Sequence, residues 1–138
     1  MQKITKAMIS SVADSFVSVF NSAPWNDLWT KEQAEERLMD IFYTPKFDGA
    51  VEIANDTILG VIMGKGERYY DGIHFQILEF WVSKNMQGKG IGSKLLNDFT
   101  DYLKSMGIVK CYLVTIHGKR TEVFYKKLGI IQLKIYVL

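Results

Sequence analysis

The chain has 138 residues, 48% of them apolar, so it is long enough for one domain with a sizeable buried core. Seventeen basic and fifteen acidic side chains nearly cancel, which gives no electrostatic reason to expect nucleic acid or an anionic membrane as a partner. No run of about 18 apolar residues exists to span a bilayer, and the single cysteine, Cys111, excludes an internal disulfide and suits a reducing compartment. We therefore expect one cytoplasmic domain over residues 1–138.

Two helices are predicted in the first third of the chain. Apolar residues recur every three or four positions from Ile4 to Phe20, which predicts an amphipathic helix that ends near residues 21–24. Thr30 and Gln33 match a capping box, and the apolar stripe that follows them predicts a second helix, which Pro45 ends.

Three strands are predicted next. The segments 50–54 and 57–63 are separated by the turn-prone pair Asn55-Asp56, and a third extended run covers 73–82 after a loop at 64–72 that carries glycines and Asp71. The short connections predict an antiparallel meander.

The last elements follow a glycine-rich loop. An apolar face from Leu95 to Met106 predicts a helix with Gly107 at its C-terminal cap, and the apolar run 108–116 predicts a strand. A short helix over 121–128 and a last strand over 130–137 complete the order. The succession of strand, glycine loop, helix and strand predicts a crossover unit at the centre of a mixed sheet.

The glycine-rich loop is the first candidate site. Gln87-Gly88-Lys89-Gly90-Ile91-Gly92 places three glycines on alternate positions before a helix that begins near Gly92 or Ser93. The first N–H groups of a helix have no partner inside it, and together with the helix dipole they attract anions. This spacing predicts either a phosphate site or a tight turn without a ligand. It fits neither a P-loop, which ends Gly-Lys-Ser/Thr, nor a G-x-G-x-x-G dinucleotide fingerprint.

The loop resembles the Q/R-x-x-G-x-G/A motif of the GNAT acetyltransferase superfamily. The likeness extends to Ile77–Val82, which resembles the family's central strand, and to Phe124–Gly129, which resembles its later Tyr-bearing segment. The resemblance implies an α+β fold with a mixed, mostly antiparallel sheet flanked by helices. It also implies that acetyl-CoA is the cosubstrate and that the strand splays at a bulge near Val82.

The cofactor site that the resemblance implies has two parts. The loop amides would hold the pyrophosphate, and the splayed strand would expose backbone groups to the pantetheine arm. The residues concerned are Phe80, Trp81, Val82, Gln87, Gly88, Lys89, Gly90, Ile91, Gly92 and Ser93, with Tyr125 beside the sulfur.

The chemistry needs a base, because an amine with a pKa near about 10 is mostly protonated at neutral pH. Glu79 is the candidate, since it lies in an apolar strand where burial would raise its pKa; the alternative is that it accepts hydrogen bonds and only shapes the cleft. Alternation places Glu79 and Trp81 on one face of the sheet, and Phe80 and Val82 on the other.

Other residues are assigned from the resemblance or from their position. Tyr125 aligns with the tyrosine that the family uses to protonate the departing thiolate, and the N–H of Val82 would polarise the thioester carbonyl. His117 is either an alternative base in the substrate cleft or a histidine at its rim. The two histidines lie far apart in the sequence, so we expect no metal.

The acceptor pocket is expected between the first two helices, where the family commonly builds it. Exposed Trp25 and Trp29 beside the carboxylate of Asp27 would favour a small cationic amine; the alternative is that the tryptophans plug the gap between the helices. Trp29, which directly precedes the capping box, could instead staple the second helix.

The sequence departs from the family in two places. Gly118 stands where many members carry an asparagine, and only nine residues follow Gly129, where the family normally has two strands. A partner chain could complete the sheet edge, so we expect a homodimer. The function expected is transfer of an acetyl group from acetyl-CoA to a primary amine in a ternary complex. The alternatives are a longer acyl donor, a protein amine as acceptor, or a non-catalytic acyl-CoA sensor or interaction module.

Overall fold

The computed structural model describes residues 1–115 and 135–137, which form three α-helices and six strands with short 3₁₀ turns at Lys6–Met8 and Lys84–Met86. The helices are α1 (Ile9–Phe20), α2 (Lys31–Phe42) and α3 (Ile91–Ser105). The strands are β1 (Gln2–Lys3), β2 (Phe47–Ala54), β3 (Thr57–Tyr69), β4 (Gly72–Val82), β5 (Lys110–Thr115) and β6 (Ile135–Val137).

The six strands form one sheet in chain order. The pairings from β1 to β4 are antiparallel, whereas β4 with β5 and β5 with β6 pair in parallel. Because α3 connects β4 to its parallel neighbour, the predicted crossover and the predicted α+β class are both confirmed.

Helices cover both faces of the sheet, and each face has its own core. On one face α1 and α2 bury Phe16 and Leu38 against Trp81, and on the other α3 buries Leu95 and Phe99 against the sheet. Burying one such side chain contributes about 1.5–3 kcal/mol, so the sheet is held from both sides.

The predicted helix caps are confirmed. The Thr30 hydroxyl accepts the N–H of Gln33 at 3.1 Å, and the Gln33 side chain accepts the N–H of Thr30 at 3.0 Å, which is the capping box at the start of α2. Gly107 has φ +85° and follows α3, and the N–H of Ile108 donates to the carbonyl of Leu103 at 3.1 Å. The left-handed φ is the conformation that glycine supplies at a helix end.

Among the predicted boundaries that were wrong, two change the interpretation of a whole segment. The first helix begins at Ile9 and not at Ile4, because Gln2–Lys3 pairs with β2 and Thr5 is extended. The segment 64–69, predicted as a loop, continues β3 up to a hairpin tip at Tyr70 and Asp71. Glycine inside a strand often marks a bulge or a close approach of another backbone rather than a turn.

Some predictions lie outside the described residues. The short helix predicted over 121–128 is among them, as are residues 130–134 of the predicted last strand, whose remainder is β6. No helix in the part of the chain described is long and apolar enough to cross a membrane.

Candidate active site

The sheet opens between β4 and β5. These strands pair only from His74 with Lys110 to Ile77 with Leu113, whereas β4 continues to Val82 beside β3. From Leu113 to Thr115, β5 pairs with β6 on its other side. Within the described residues, the edge of β4 from 78 to 82 that faces β5 therefore has no neighbouring strand. This edge forms one wall of a slot.

A bulge lies where the slot begins. Met63 pairs with Glu79 and Gly64 with Ile77, so Leu78 is the extra residue of β4. The bulge predicted near Val82 is thus four residues earlier. A Cβ on Gly64 would lie 1.9 Å from the carbonyl oxygen of Gln76, so the two backbones approach closely enough that only glycine fits.

The glycine loop leads from the end of β4 into α3. Gly88 and Gly90 have φ of +78° and +82°, and a Cβ on either would meet no atom of the described chain within 4 Å. Positions 88 and 90 therefore require glycine because of their backbone angles and not because neighbouring atoms are close. The Gln87 side chain donates a hydrogen bond to the carbonyl of Val82 at 3.1 Å, which ties the loop to β4.

The loop presents a row of backbone donors. No described residue accepts a hydrogen bond from the N–H groups of residues 88–93, and the first amide of α3 with a partner is Lys94, which donates to Gly90 at 3.0 Å. These donors coincide with the positive end of the α3 dipole. The Lys89 side chain beside them is exposed. The loop can thus accept an anion without breaking an existing hydrogen bond in the described structure.

Glu79 lies one residue beyond the bulge and projects towards α2. Its side chain is 11% exposed, and its Oε1 accepts a hydrogen bond from Nε of Arg37 at 2.6 Å. Burial raises the pKa of Glu79, and the Arg37 guanidinium opposes part of that rise. A carboxyl with a raised pKa, close to a slot, has the properties of a general base.

The residues that follow Glu79 alternate between the faces as predicted. Trp81 is buried under α1, where its indole N–H donates to the Ser15 hydroxyl at 2.9 Å, so only its backbone is available to a ligand in the slot. Phe80 packs against the core under α3. The end of β4 is held by Ser83, whose N–H donates to Leu59 at 2.8 Å.

The two tryptophans between α1 and α2 differ in exposure. Trp25 is 39% exposed and packs edge-on against Phe20, with ring centroids 5.2 Å apart. Trp29 is half-buried, packs edge-on against Phe16 at 5.0 Å, and donates its indole N–H to Asp27 at 3.1 Å. Trp29 therefore fills the gap between the helices, and the Asp27 carboxylate already has a partner.

Arg37 was not found from the sequence. It lies in the middle of α2 and contacts Glu79, which is 42 positions away in the sequence. A single charged residue on an exposed helix face carries no local signal for such a contact. Only the packing of α2 over β4 brings the two together.

Two other predicted site residues, Tyr125 and His117, lie outside the described residues, so their roles stay predictions. Cys111 is half-buried, and burial raises the pKa of its thiol to about 12. It is therefore protonated at neutral pH and is no nucleophile. The second histidine, His74, contacts Asp71 at 2.7 Å at the far end of β4. No group of three potential metal ligands occurs within the described ranges.

A cavity of about 360 Å³ lies elsewhere, between α1, the β2–β3 turn and the end of β4. Its lining includes Asp14, Ser15, Asp56 and Ser83, but neither Glu79 nor any residue of the glycine loop. None of the β4 residues 78–82 that border the slot is among the described lining residues of this cavity.

The sheet, the slot and the loop together define a domain in which the backbone N–H groups at a helix N-terminus, without acceptors among the described residues, lie beside an opened pair of parallel strands. The chain belongs to the acetyltransferase (GNAT) family, whose model matches residues 9–130. No curated protein sequence matches this chain.

Solved structures support the same fold. One is described as a possible acetyltransferase from Clostridium difficile 630, with a TM-score of 0.81 and 15% identity over 99% of this chain and 93% of that one. Glucosamine-6-phosphate N-acetyltransferase from Arabidopsis thaliana gives a TM-score of 0.69 and 23% identity over 99% and 94%. An aminoglycoside acetyltransferase from an uncultured soil metagenomic sample, in complex with sisomicin, gives 0.66 and 15% over 93% and 82%. At these identities the likeness concerns the fold.

Proposed function

We propose that this protein is an acetyl-CoA-dependent N-acetyltransferase that acetylates a small primary amine by direct attack within a ternary complex. The observation that carries the proposal is the row of backbone N–H groups at 88–93, without partners in the described chain, next to the opened edge of β4. A diphosphate fits the row of donors, and an extended pantetheine arm fits the strand edge. Membership of the GNAT family supports the same ligand.

The chain's own residues then have distinct tasks. Amides of the loop bind the diphosphate, and Lys89 adds a positive charge at its mouth. The edge of β4 orients the arm, and the N–H of Val82 polarises the acyl carbonyl. Acetyl-CoA supplies the activated acyl thioester when it is bound.

Glu79 is the base in this proposal. The acceptor amine arrives as an ammonium ion and must lose a proton before it can form the amide bond. The largely buried carboxylate takes that proton directly or through a water. By resemblance to the family, Tyr125 donates a proton to the departing thiolate. The proposal assigns Trp25, which is 39% exposed, and His117 to the cleft that receives the acceptor.

The loop can be tested through one exposed side chain. We expect Lys89→Glu to weaken coenzyme A binding about 3- to 10-fold at low salt, because it places a negative charge beside the diphosphate. Lys104→Glu, which makes the same charge change at the other end of α3, is the control and should leave the affinity unchanged. Isothermal titration calorimetry measures both. Wild-type protein that binds no coenzyme A, or equal loss in the two variants, would contradict the proposed site.

We also propose that the protein is a homodimer in which a second copy of the chain covers the sheet edge beyond β6. The proposed location of this dimer is the cytoplasm. Light scattering coupled to size-exclusion chromatography should then give twice the mass of one chain. A mass of one chain at every concentration would exclude the dimer.

A further inference from the structure

Arg37 carries hydrogen-bonding capacity that Glu79 does not use. The guanidinium has five N–H donors, and only Nε–H is engaged, with Oε1 of Glu79. Neither terminal Nη nitrogen has a hydrogen-bond partner among residues 1–115 and 135–137. The Arg37 side chain is 43% exposed, so this free edge of the guanidinium is accessible to a small molecule.

The contact with Glu79 fixes where that free edge lies. Arg37 is anchored through Nε to a carboxylate that is itself only 11% exposed, so the positive charge is held within one hydrogen bond of the proposed base. A guanidinium presents a planar pair of donors that matches a carboxylate or a phosphate, and such two-point contacts are stronger than single neutral hydrogen bonds.

The pair of charges also limits which amines are well accommodated. An ammonium ion that approaches Glu79 also approaches the neighbouring guanidinium. The guanidinium either stays and repels the ammonium ion, or it moves away and breaks its ion pair with the buried Glu79 carboxylate. An acceptor that carries both an ammonium and an anion avoids this conflict, because the ammonium faces Glu79 and the anion faces Arg37. Every charge then keeps an opposite partner.

The acidic residue expected to attract a purely cationic acceptor is engaged elsewhere. Asp27 accepts the indole N–H of Trp29 and is exposed, so solvent screens its charge. Around Glu79, the nearest charge shown by a described contact is the positive charge of Arg37.

We infer that the acceptor of this acetyltransferase is an amine that also carries a carboxylate or phosphate, and that Arg37 binds this anionic group and so determines acceptor specificity. The inference rests on the proposed function. Because Nε of Arg37 and Oε1 of Glu79 are 2.6 Å apart, the amine and the anion are close in the acceptor, roughly two to four bonds apart. α-Amino acids, β-amino acids and aminoalkyl phosphates have this spacing.

The test compares acceptors that differ only in the anionic group. Release of free thiol from acetyl-CoA is measured with glycine against glycinamide, β-alanine against β-alaninamide, and aminoethyl phosphate against ethanolamine. In at least one pair, the member that carries the anionic group should have a kcat/KM at least about tenfold higher than that of its counterpart. The comparison of glycine with glycinamide underestimates the preference for the carboxylate. The amino group of glycinamide has the lower pKa and is more often in the reactive neutral form, which favours glycinamide. The phosphate pair and the carboxylate pairs separate the two kinds of anion.

Variants then assign the preference to Arg37. In Arg37→Gln the ratio of kcat/KM for the anion-bearing acceptor to kcat/KM for its counterpart should fall to near one, mainly through a raised KM for the anion-bearing member. Arg37→Lys keeps the positive charge without the planar fork and should give an intermediate ratio. Using the ratio cancels any effect of the substitution on Glu79, which acts on both acceptors alike. Arg68→Gln is the control, because Arg68 is exposed on β3 and forms no ion pair within the described chain.

The outcomes separate the two levels of the proposal. Amines without the anionic group that react as well as their anion-bearing counterparts, or a preference that Arg37→Gln leaves intact, would overturn the inference and leave the acetyltransferase proposal standing. An absence of thiol release with every amine, despite binding of coenzyme A, would overturn the acetyltransferase proposal and the inference with it.

Discussion

Replacing Glu79 by glutamine is expected to lower kcat for amine-dependent thiol release by about 10²–10³-fold, which is the usual contribution of a positioned general base. The amide has nearly the same shape as the carboxylate but cannot accept the ammonium proton. The affinity for coenzyme A should remain within about twofold of the wild type, because the loop amides at 88–93 are on α3 and the turn before it, away from α2. Thiol-release kinetics and calorimetry measure the two quantities separately.

The dependence of kcat/KM on pH gives an independent signature. A base works only when deprotonated, so activity is lost as the pH falls through its pKa. Because burial raises the pKa of Glu79, this acidic limb should lie above the ordinary glutamate value of about 4.3. Arg37 opposes that rise, so Arg37→Gln should move the limb to still higher pH, and Glu79→Gln should abolish it.

The control for Glu79 is Glu36→Gln, the same change on the exposed face of α2 next to Arg37. It should leave both kcat and the acidic limb unchanged. If Glu79→Gln kept the wild-type kcat, Glu79 would only shape the cleft and the base would be another group. If it lost thiol release and coenzyme A binding together, the residue would hold the fold of the site.

The features that the sequence predicted correctly depend on neighbours in the chain. The capping box joins Thr30 to Gln33 within one helical turn, and the alternation that separates Glu79 from Phe80 is a property of any strand. The glycine loop also belongs to this group, because φ angles near +80° restrict the choice of residue at 88 and 90 directly.

The features that were missed depend on contacts between distant segments. Gln2–Lys3 pairs with residues of β2 that lie nearly fifty positions further along the chain. A strand of two residues has no periodicity that the sequence could reveal. Arg37 meets Glu79 only after α2 packs on the sheet. Glycines at 64 and 66 suggested a loop because the same residue permits a turn and a close approach of two backbones, and only the paired strand tells them apart.

Gly64→Ala is expected to lower the free energy of unfolding by about 2–3 kcal/mol, the range for a group forced into a filled space. Its Cβ would lie 1.9 Å from the Gln76 carbonyl oxygen and 2.9 Å from the Phe75 ring, and a backbone oxygen in a paired strand cannot move aside without the strand. Urea unfolding with an unchanged m-value measures the loss.

Gly60→Ala is the matched control, since it is also a buried glycine of β3. There the new Cβ would find its nearest atoms at 3.3 Å and 3.4 Å, the closer one at the flexible end of Leu95, so the cost should be below about 1 kcal/mol. Equal stability of the two variants would mean that the bulge adapts freely to a side chain at 64.

The same substitution connects the bulge to function. Relief of the clash requires the strand around Gln76 to move away from β3, and this strand leads directly into Leu78 and Glu79. If this movement abolishes the bulge at Leu78, each following side chain of β4 turns to the opposite face of the sheet. Glu79 would then lose its contact with Arg37, and the edge of β4 would no longer border the slot. Folded Gly64→Ala protein should therefore lose thiol release by more than tenfold at a temperature where Gly60→Ala retains it. Wild-type activity in a folded but destabilised Gly64→Ala variant would separate the bulge from the positioning of the base.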